Sequence, residues 1–416
     1  MPRNLLLPFC AIIALSIAVA GNDPTAIWQG SPQSFPDSEW SIDVLNCDIT
    51  GTQLRFECPG FWLEPVMQNG AWYTSVTMPR AGNATLGGFP ELPVIGRLLA
   101  IPADRAVAVV VHEVSTVDVP CEYPCLPAID ANGAGSQIQA LSPELYPEQW
   151  VEVQAPVIFK DYRLAPVNIH PVRYDASTKT LQLATRIEFE LRTTEPSNEN
   201  VKTHFSRQSN AFDPLYKALI DNRSQFNTAV PLVSEGARGA YLIFVADNYL
   251  SHLQNFITWK SQLGYQVIVK TLSTVGNTKE QIKAAITAEY YGGEVPLDYV
   301  LLIGDIQGSL TIPAYYITKP GSSDLDVTDH PYVLLEGQDY FPDAMIGRIS
   351  VASELELITS LQKVMVYQKT PPMSDPEWLK RALLVAGNYS DVGIAPITPV
   401  WTSLWLLDKL FSHGYT

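Results

Sequence analysis

Seven carboxylates crowd one stretch of the sequence: Asp305, Asp324, Asp326, Asp329, Glu336, Asp339 and Asp343. Hard oxygen ligands are what Ca²⁺ takes, so this span is where cation chemistry would reside. An EF-hand counted from Asp324 would need Gly at its sixth place and Glu at its twelfth, where Asp329 and Leu335 stand. A looser structural cation site and a solvated acidic loop both stay open. Covalent chemistry finds less material. No cysteine lies between Leu126 and Thr416, and none of the six histidines has a partner in sequence. His413 stands at a helix end before Gly414, where a cation is favoured by the helix dipole, so a capping role is expected rather than a catalytic base. His330 reads as a turn residue within the acidic span. The motifs G-x-x-x-x-G-K-[ST], G-x-S-x-G and H-E-x-x-H are all absent.

The elements that must position these carboxylates alternate in type. Tyr241-Leu242-Ile243-Phe244-Val245 is a continuous apolar run of the kind a buried parallel strand needs. Leu250, Leu253, Phe256, Ile257 and Trp259 follow at helical spacing, with Gly264 as the terminating residue. Strands are expected at 267–269, 299–303, 344–347 and 382–386, and helices at 278–290, 354–367 and 401–411. Such alternation implies a parallel sheet with helices on both faces. Ligands bind such sheets beyond the carboxyl ends of the strands, where Asp305 and residues 388–391 fall.

Before this α/β portion the pattern is β. Residues 98–102 and 106–111 are short apolar runs between Pro, Gly and Asp, and 185–191 alternates apolar with polar as a half-buried strand does. A short amphipathic helix is expected at 212–221. The polar segment 222–239 then separates two regions of different periodicity. The division is residues 1–20 as signal peptide, 21–222 as a β-rich prodomain, 223–239 as linker and 240–416 as the α/β domain.

Residues 1–20 read as an export signal: Arg3, an apolar run over 5–19, and Ala18-Val19-Ala20 before Gly21. An uncleaved anchor is the rival reading, but the run falls short of the roughly 20 residues that span a bilayer. The mature chain is thus expected outside the cytoplasm, with no membrane span after cleavage. Cys47, Cys58, Cys121 and Cys125 then remain, and an oxidising compartment permits disulfides. Three pairings are open, of which 47–58 and 121–125 close the shortest loops. Spacing does not support zinc. Across 416 residues, 27 Lys and Arg face 43 Asp and Glu, for a formal net charge of −16. That balance excludes a nucleic-acid binder, which needs clustered cations.

The second half resembles the gingipain-type cysteine peptidases. The resemblance rests on Tyr299-Val300-Leu301-Leu302-Ile303-Gly304-Asp305, then Thr328-Asp329-x-x-Tyr332, then Gly337-Gln338-Asp339-Tyr340, and most specifically on Asp343-Ala344-Met345-Ile346-Gly347-Arg348. Gly88-Phe89-Pro90-Glu91-Leu92-Pro93, leading into Leu99-Ala100-Ile101-Pro102, resembles the family's propeptide. The family implies a caspase-like fold and peptide hydrolysis by a His–Cys pair, with the His in a Gly-His-Gly context after a strand and the Cys ending the next. Neither position occurs among these 416 residues. The family's acid in the loop after 382–386 has only Asp391 nearby, so cleavage specificity is not legible.

The resemblance also supplies acids at Asp339 and Asp343 and implies calcium there. Asp305, at a strand end, is the expected third ligand, and no organic cofactor is implied. The reading is the N-terminal portion of a secreted cysteine endopeptidase zymogen with its frame cut short, acting on protein or peptide substrates when whole. The alternative is a secreted non-catalytic binding or inhibitory module; a structural protein built on β modules would fit the first half only. A contact between prodomain and peptidase domain within one chain is implied. Processing is expected after Arg223, with Arg238 second, because exposed polar segments are where chains are cut.

Overall fold

The computed structural model describes residues 26–30, 38–84, 86–128, 145–205, 210–226, 238–308, 310–318, 323, 325–386 and 398–416. The signal segment 1–20, Asp324 and residues 388–391 lie outside them. The first half is antiparallel β. One sheet runs β1 (Ser41–Asp48) on β2 (Gly51–Glu57), and β2 on a 17-residue strand, Thr180–Pro196. In β2 the alternation is plain: Thr52, Leu54 and Phe56 point inward and are buried. A second sheet carries β3 (Ala71–Thr77), joined to the strand Gly60–Gln68 by an Asn69-Gly70 turn. Both turn residues have positive φ, 50° and 80°, which is why Asn and Gly occupy them.

The long partner of Thr180–Pro196 is β4 (Arg105–Pro120). A third sheet is built on β5 (Tyr162–Ile169), which pairs with Pro93–Ala100 on one side and with Val151–Val153 and Val157–Phe159 on the other. One apolar core joins these sheets, with Leu54, Phe56, Leu99, Val167, Leu183, Ile187 and Phe189 inside it. The pairing register corrects one expected disulfide. Cys47 lies opposite Thr52 while Ser41 lies opposite Glu57, so Cys47 and Cys58 are at opposite ends of the same hairpin. At about 3.4 Å per residue that is on the order of 20 Å, against the roughly 7 Å between Cα atoms that a disulfide allows.

Helix α1 (Asp213–Leu219) closes the first half. After Thr180–Pro196 (β6), the second half follows as β7 (Ala240–Val245), α2 (Gln254–Gln262), β8 (Gln266–Thr271), α3 (Lys279–Gly292), β9 (Leu297–Ile303), β10 (Met345–Ile349), α4 (Glu354–Lys369) and α5 (Thr398–Ser412). The four strands form a parallel sheet in the order β8-β7-β9-β10. Side chains alternate across it. Leu242, Phe244, Val300 and Leu302 pack with Ile282 and Ile286 of α3 on one face; Ile243, Val245, Leu301 and Ile303 pack with Phe256 of α2 and Leu357 and Leu361 of α4 on the other. Two-sided burial is the reason β7 and β9 read as unbroken apolar runs.

Helix α3 starts on a capping box, Thr278 with Gln281, and Gly264, with φ 93°, ends the turn after α2. The expected strand at 382–386 does not form. That segment is irregular, Leu383 is 88% exposed, and Ala382 instead bonds to the carbonyl of Thr416. An apolar run becomes a strand only where a sheet edge receives it, and none here does. Among the described residues no helix is long and apolar enough to cross a membrane.

Candidate functional site

The carboxyl edge of the parallel sheet is built from the residues that follow each strand. Asp247 after β7 accepts hydrogen bonds from the backbone N–H and hydroxyl of Ser273 after β8. Asp305 after β9 accepts the Ile306 N–H at 2.7 Å, and its own N–H donates to the Val351 carbonyl. Gly304, at φ 148°, is required here: a Cβ would stand 2.2 Å from the Leu310 carbonyl oxygen. Arg348 on β10 fastens the long loop after β9. Its guanidinium grips Asp329 at 2.8 and 2.7 Å and donates to the carbonyls of Gly304, Ile312 and Pro313. A planar fork of five donors suits this set as no lysine could. The edge is therefore shaped, but it carries no thiol.

The richest polar geometry lies at the opposite, amino-terminal edge, where the β-rich half meets the α/β half. Lys160 and Asp161 form the two-residue tip of the hairpin Val157–Phe159 to β5, with Lys160 in the left-handed region at φ 48°. The Lys160 side chain is 1% exposed, and its ammonium donates to the Leu297 carbonyl at 2.6 Å and to Asp298 Oδ1 at 3.1 Å. Asp298 Oδ2 accepts the Gly239 N–H at 2.8 Å, so the same carboxylate ties down the start of the second half. The ammonium also sits over the Phe212 ring, 4.4 Å from its centre.

A second buried pair joins Lys202 to Glu336 at 2.9 Å. Glu336 is fully used: Oε1 accepts the N–H groups of Thr203 and His204, and Tyr290 donates at 3.1 Å to Oε2, the oxygen that Lys202 also meets. Around these pairs, Asp339 Oδ2 accepts the Ile158 N–H, Asn200 Oδ1 accepts the Gln338 N–H, and Phe159 packs edge-on against Phe341. A buried charge costs several kcal/mol to desolvate, which only a partner with good geometry offsets. Two such pairs in one seam tie the β-rich half to the α/β half through buried charge.

Burial sets the titration of this seam. Asp343, 0% exposed, is pushed up to about 7, chiefly by desolvation; the N–H groups of Leu335 and Glu336 on its Oδ2 pull the other way, and the Glu336 charge adds to the rise. Its Oδ1 finds no hydrogen-bond partner among the described residues. Burial likewise raises Asp339 and Asp161 and holds the His204 imidazole below its ordinary value.

The expected calcium ligands Asp305, Asp339 and Asp343 are not brought together. Tyr299 lies opposite Met345, so Asp343 enters at the amino end of the sheet and Asp305 leaves at the carboxyl end, eight residues on. At about 3.3 Å per residue they are roughly 26 Å apart. Both oxygens of Asp339 are occupied by backbone N–H groups, of Ile158 and Phe341. Among the described residues no group of three or more His, Cys, Asp or Glu is placed to hold a metal. The three carboxylates therefore do not fit one shared cation; proximity in sequence was undone by a loop that runs the length of the sheet.

The two arginines expected at the processing segment differ in accessibility. Arg223 is held by an ion pair to Asp213 and lies over the Tyr216 ring, with a side chain 18% exposed. Arg238 is exposed and lies over the Tyr265 ring, with most of the linker before it outside the described residues. Of the two, Arg238 is the more accessible side chain. Lys160, Lys202 and Asp298 carried no sequence signal, because a lysine in a turn or polar stretch normally faces water.

Residues 41–219 match the family model described as Propeptide_C25, and residues 234–411 match the one described as Peptidase family C25. Gingipain R2 of Porphyromonas gingivalis is 28% identical over 390 residues, covering 90% of this chain and 51% of that protein. Lys-gingipain HG66 of the same organism is 26% identical over 381 residues, covering 85% of this chain and 21% of the relative. The chain thus spans about half the length, or less, of the curated relatives it matches. Among solved structures, the complex of Porphyromonas gingivalis RgpB pro- and mature domains is similar with a TM-score of 0.39 and 21% identity, covering 46% of this chain and 100% of that one. The Arg-specific cysteine proteinase gingipain R gives 0.35 and 26%, covering 45% and 41%.

Proposed function

The chain belongs to the gingipain-type cysteine peptidase family, comprising its propeptide and part of its peptidase domain, and from this we propose that it is the N-terminal portion of a secreted cysteine endopeptidase zymogen. The observation that carries the reading is the seam: Lys160 and Lys202 of the propeptide half are buried against Asp298 and Glu336 of the peptidase half. The propeptide acts as a docked partner within the chain, holding the peptidase half until the linker is cut. A His–Cys pair supplied by residues beyond Thr416 would hydrolyse protein or peptide substrates, the thiolate attacking and the imidazole delivering the proton. The export reading rests on residues 1–20 and places this chemistry outside the cytoplasm.

The 416 residues alone are expected to turn over no peptide, because every cysteine lies in the first 125 residues. The assay is a broad fluorogenic peptide library with a thiol reductant present. Turnover abolished by a cysteine alkylator would overturn this assignment of roles. Limited trypsin digestion is expected to cut first within 223–239, at Arg238 before Arg223, since cleavage at a held side chain requires local opening. N-terminal sequencing of the first large fragment reads the result, and a first cut inside either half would count against the boundary.

A further inference from the structure

We propose that Cys121 and Cys125 are a disulfide-forming pair that clamps the crossover between two sheets of the β-rich half. The two cysteines stand four residues apart on one connection between strands, with their thiols close enough to influence one another. Their backbones are anchored on different sheets. Cys121 follows the last residue of β4, and its N–H donates to the Lys179 carbonyl at 2.9 Å. Cys125 bridges to Thr74 of β3, whose N–H donates to the Pro124 carbonyl, whose carbonyl accepts the Leu126 N–H, and whose hydroxyl donates to Tyr123. Tyr123 also stacks on Trp72. A sulfur–sulfur bond here would fasten a short turn whose two ends are held by backbone hydrogen bonds on different sheets.

The other two cysteines are placed differently. Cys47 accepts from the Thr52 hydroxyl at 3.3 Å, and Cys58 is buried with its thiol toward the Gly60 carbonyl. The two members of the proposed pair are also unequal in a useful way. Cys121 is part exposed, and the Cys125 thiol beside it favours the thiolate, whereas burial keeps Cys125 protonated. Exchange with a small or protein disulfide then has an order. The Cys121 thiolate attacks the oxidant's disulfide, expelling one of its sulfurs as a thiolate and leaving a mixed disulfide. The proton that Cys121 released on ionising ends on that first thiolate, and Cys125 then gives up its own proton to the second sulfur as it displaces it from the mixed disulfide. Two thiols are oxidised to one disulfide, and one disulfide of the oxidant is reduced to two thiols. The inference rests on the anchoring of the turn between two sheets and stands whether or not the peptidase reading does.

The test uses the full chain equilibrated in an oxidising glutathione buffer, quenched, unfolded, alkylated with N-ethylmaleimide and digested with trypsin. No Lys or Arg lies between Arg105 and Lys160, so residues 106–160 form one peptide holding both cysteines; Cys10 and Cys47 fall in 4–55 and Cys58 in 56–80. The expected result is a 106–160 peptide that takes no maleimide until it is reduced, then takes two, while 4–55, which holds Cys10 as well as Cys47, takes two and the Cys58 peptide takes one without reduction. Two maleimides on 106–160 without reduction, or that peptide cross-linked to 4–55 or 56–80, would overturn it. Cys125→Ser is expected to leave a single alkylatable Cys121, and a cross-link from Cys121 to Cys47 or Cys58 in the wild-type chain would be equally decisive against the pair.

Discussion

Lys160→Met is expected to break the docking of the two halves. The methionine keeps the apolar stem that lies on Phe212 but leaves Asp298 buried without its cation. Removing one member of a buried pair costs about 3–5 kcal/mol, most of it the penalty of the orphaned charge. A second substitution separates that penalty from lost packing. Asp298→Asn in the Lys160→Met background removes the charge while an amide oxygen still accepts the Gly239 N–H, and it should recover most of the loss. The measurement is urea unfolding followed by a probe in each half, with trypsin resistance of the 223–239 linker as a second readout. Wild-type chain should unfold with the halves coupled; Lys160→Met should show the halves melting apart. An unchanged midpoint in the single variant would mean that the seam does not depend on this pair.

The seam should also weaken as pH rises from about 4 to 7. Burial pushes the Asp343 carboxyl from its ordinary 3.8 up to about 7 in the folded chain. Below pH 4 both states hold the proton and the full stability is present. Between the two values the folded chain binds a proton that the unfolded chain has released, so stability falls with rising pH and levels off above 7. A shift of this size amounts to several kcal/mol, at roughly 1.4 kcal/mol per unit. Glu336, Lys202, Lys283 and Tyr290 all share the field of this carboxyl group. His204 works in the opposite direction, losing stability as pH falls below its unfolded value. The informative quantity is therefore the difference between wild type and Asp343→Asn, whose amide oxygen still accepts from Leu335 and Glu336. That variant should show a flatter stability profile from pH 4 to 7 and exceed wild type above 7. Parallel profiles would exclude Asp343 as the titrating group.

Much of the fold was legible because it follows from local pattern. The apolar runs of β7 and β9, the helical spacing before Gly264 and the capping residue Thr278 each encode an element in adjacent residues. The strand expected at 382–386 shows the limit: its apolar residues are real, but a strand is a pairing and the sequence does not say with what. The disulfide question divides the same way. Composition allowed three pairings; the β1–β2 register removed the one between Cys47 and Cys58.

The sequence by itself determined two halves of different periodicity, a parallel sheet in the second, the family resemblance, and the absence of any thiol after Cys125. Those properties are written in residue type and in spacings of two to four. Only the tertiary structure decided which charged groups meet. Lys160 and Asp298 are 138 residues apart, as Lys202 and Glu336 are 134, and no local pattern announces such a partner. Asp305 and Asp343, close in sequence, were sent to opposite ends of one sheet. Electrostatics depends on distance and burial, and both are set by how the chain returns on itself, so the acidic span that looked like one site became two edges, one of them the seam that holds the propeptide.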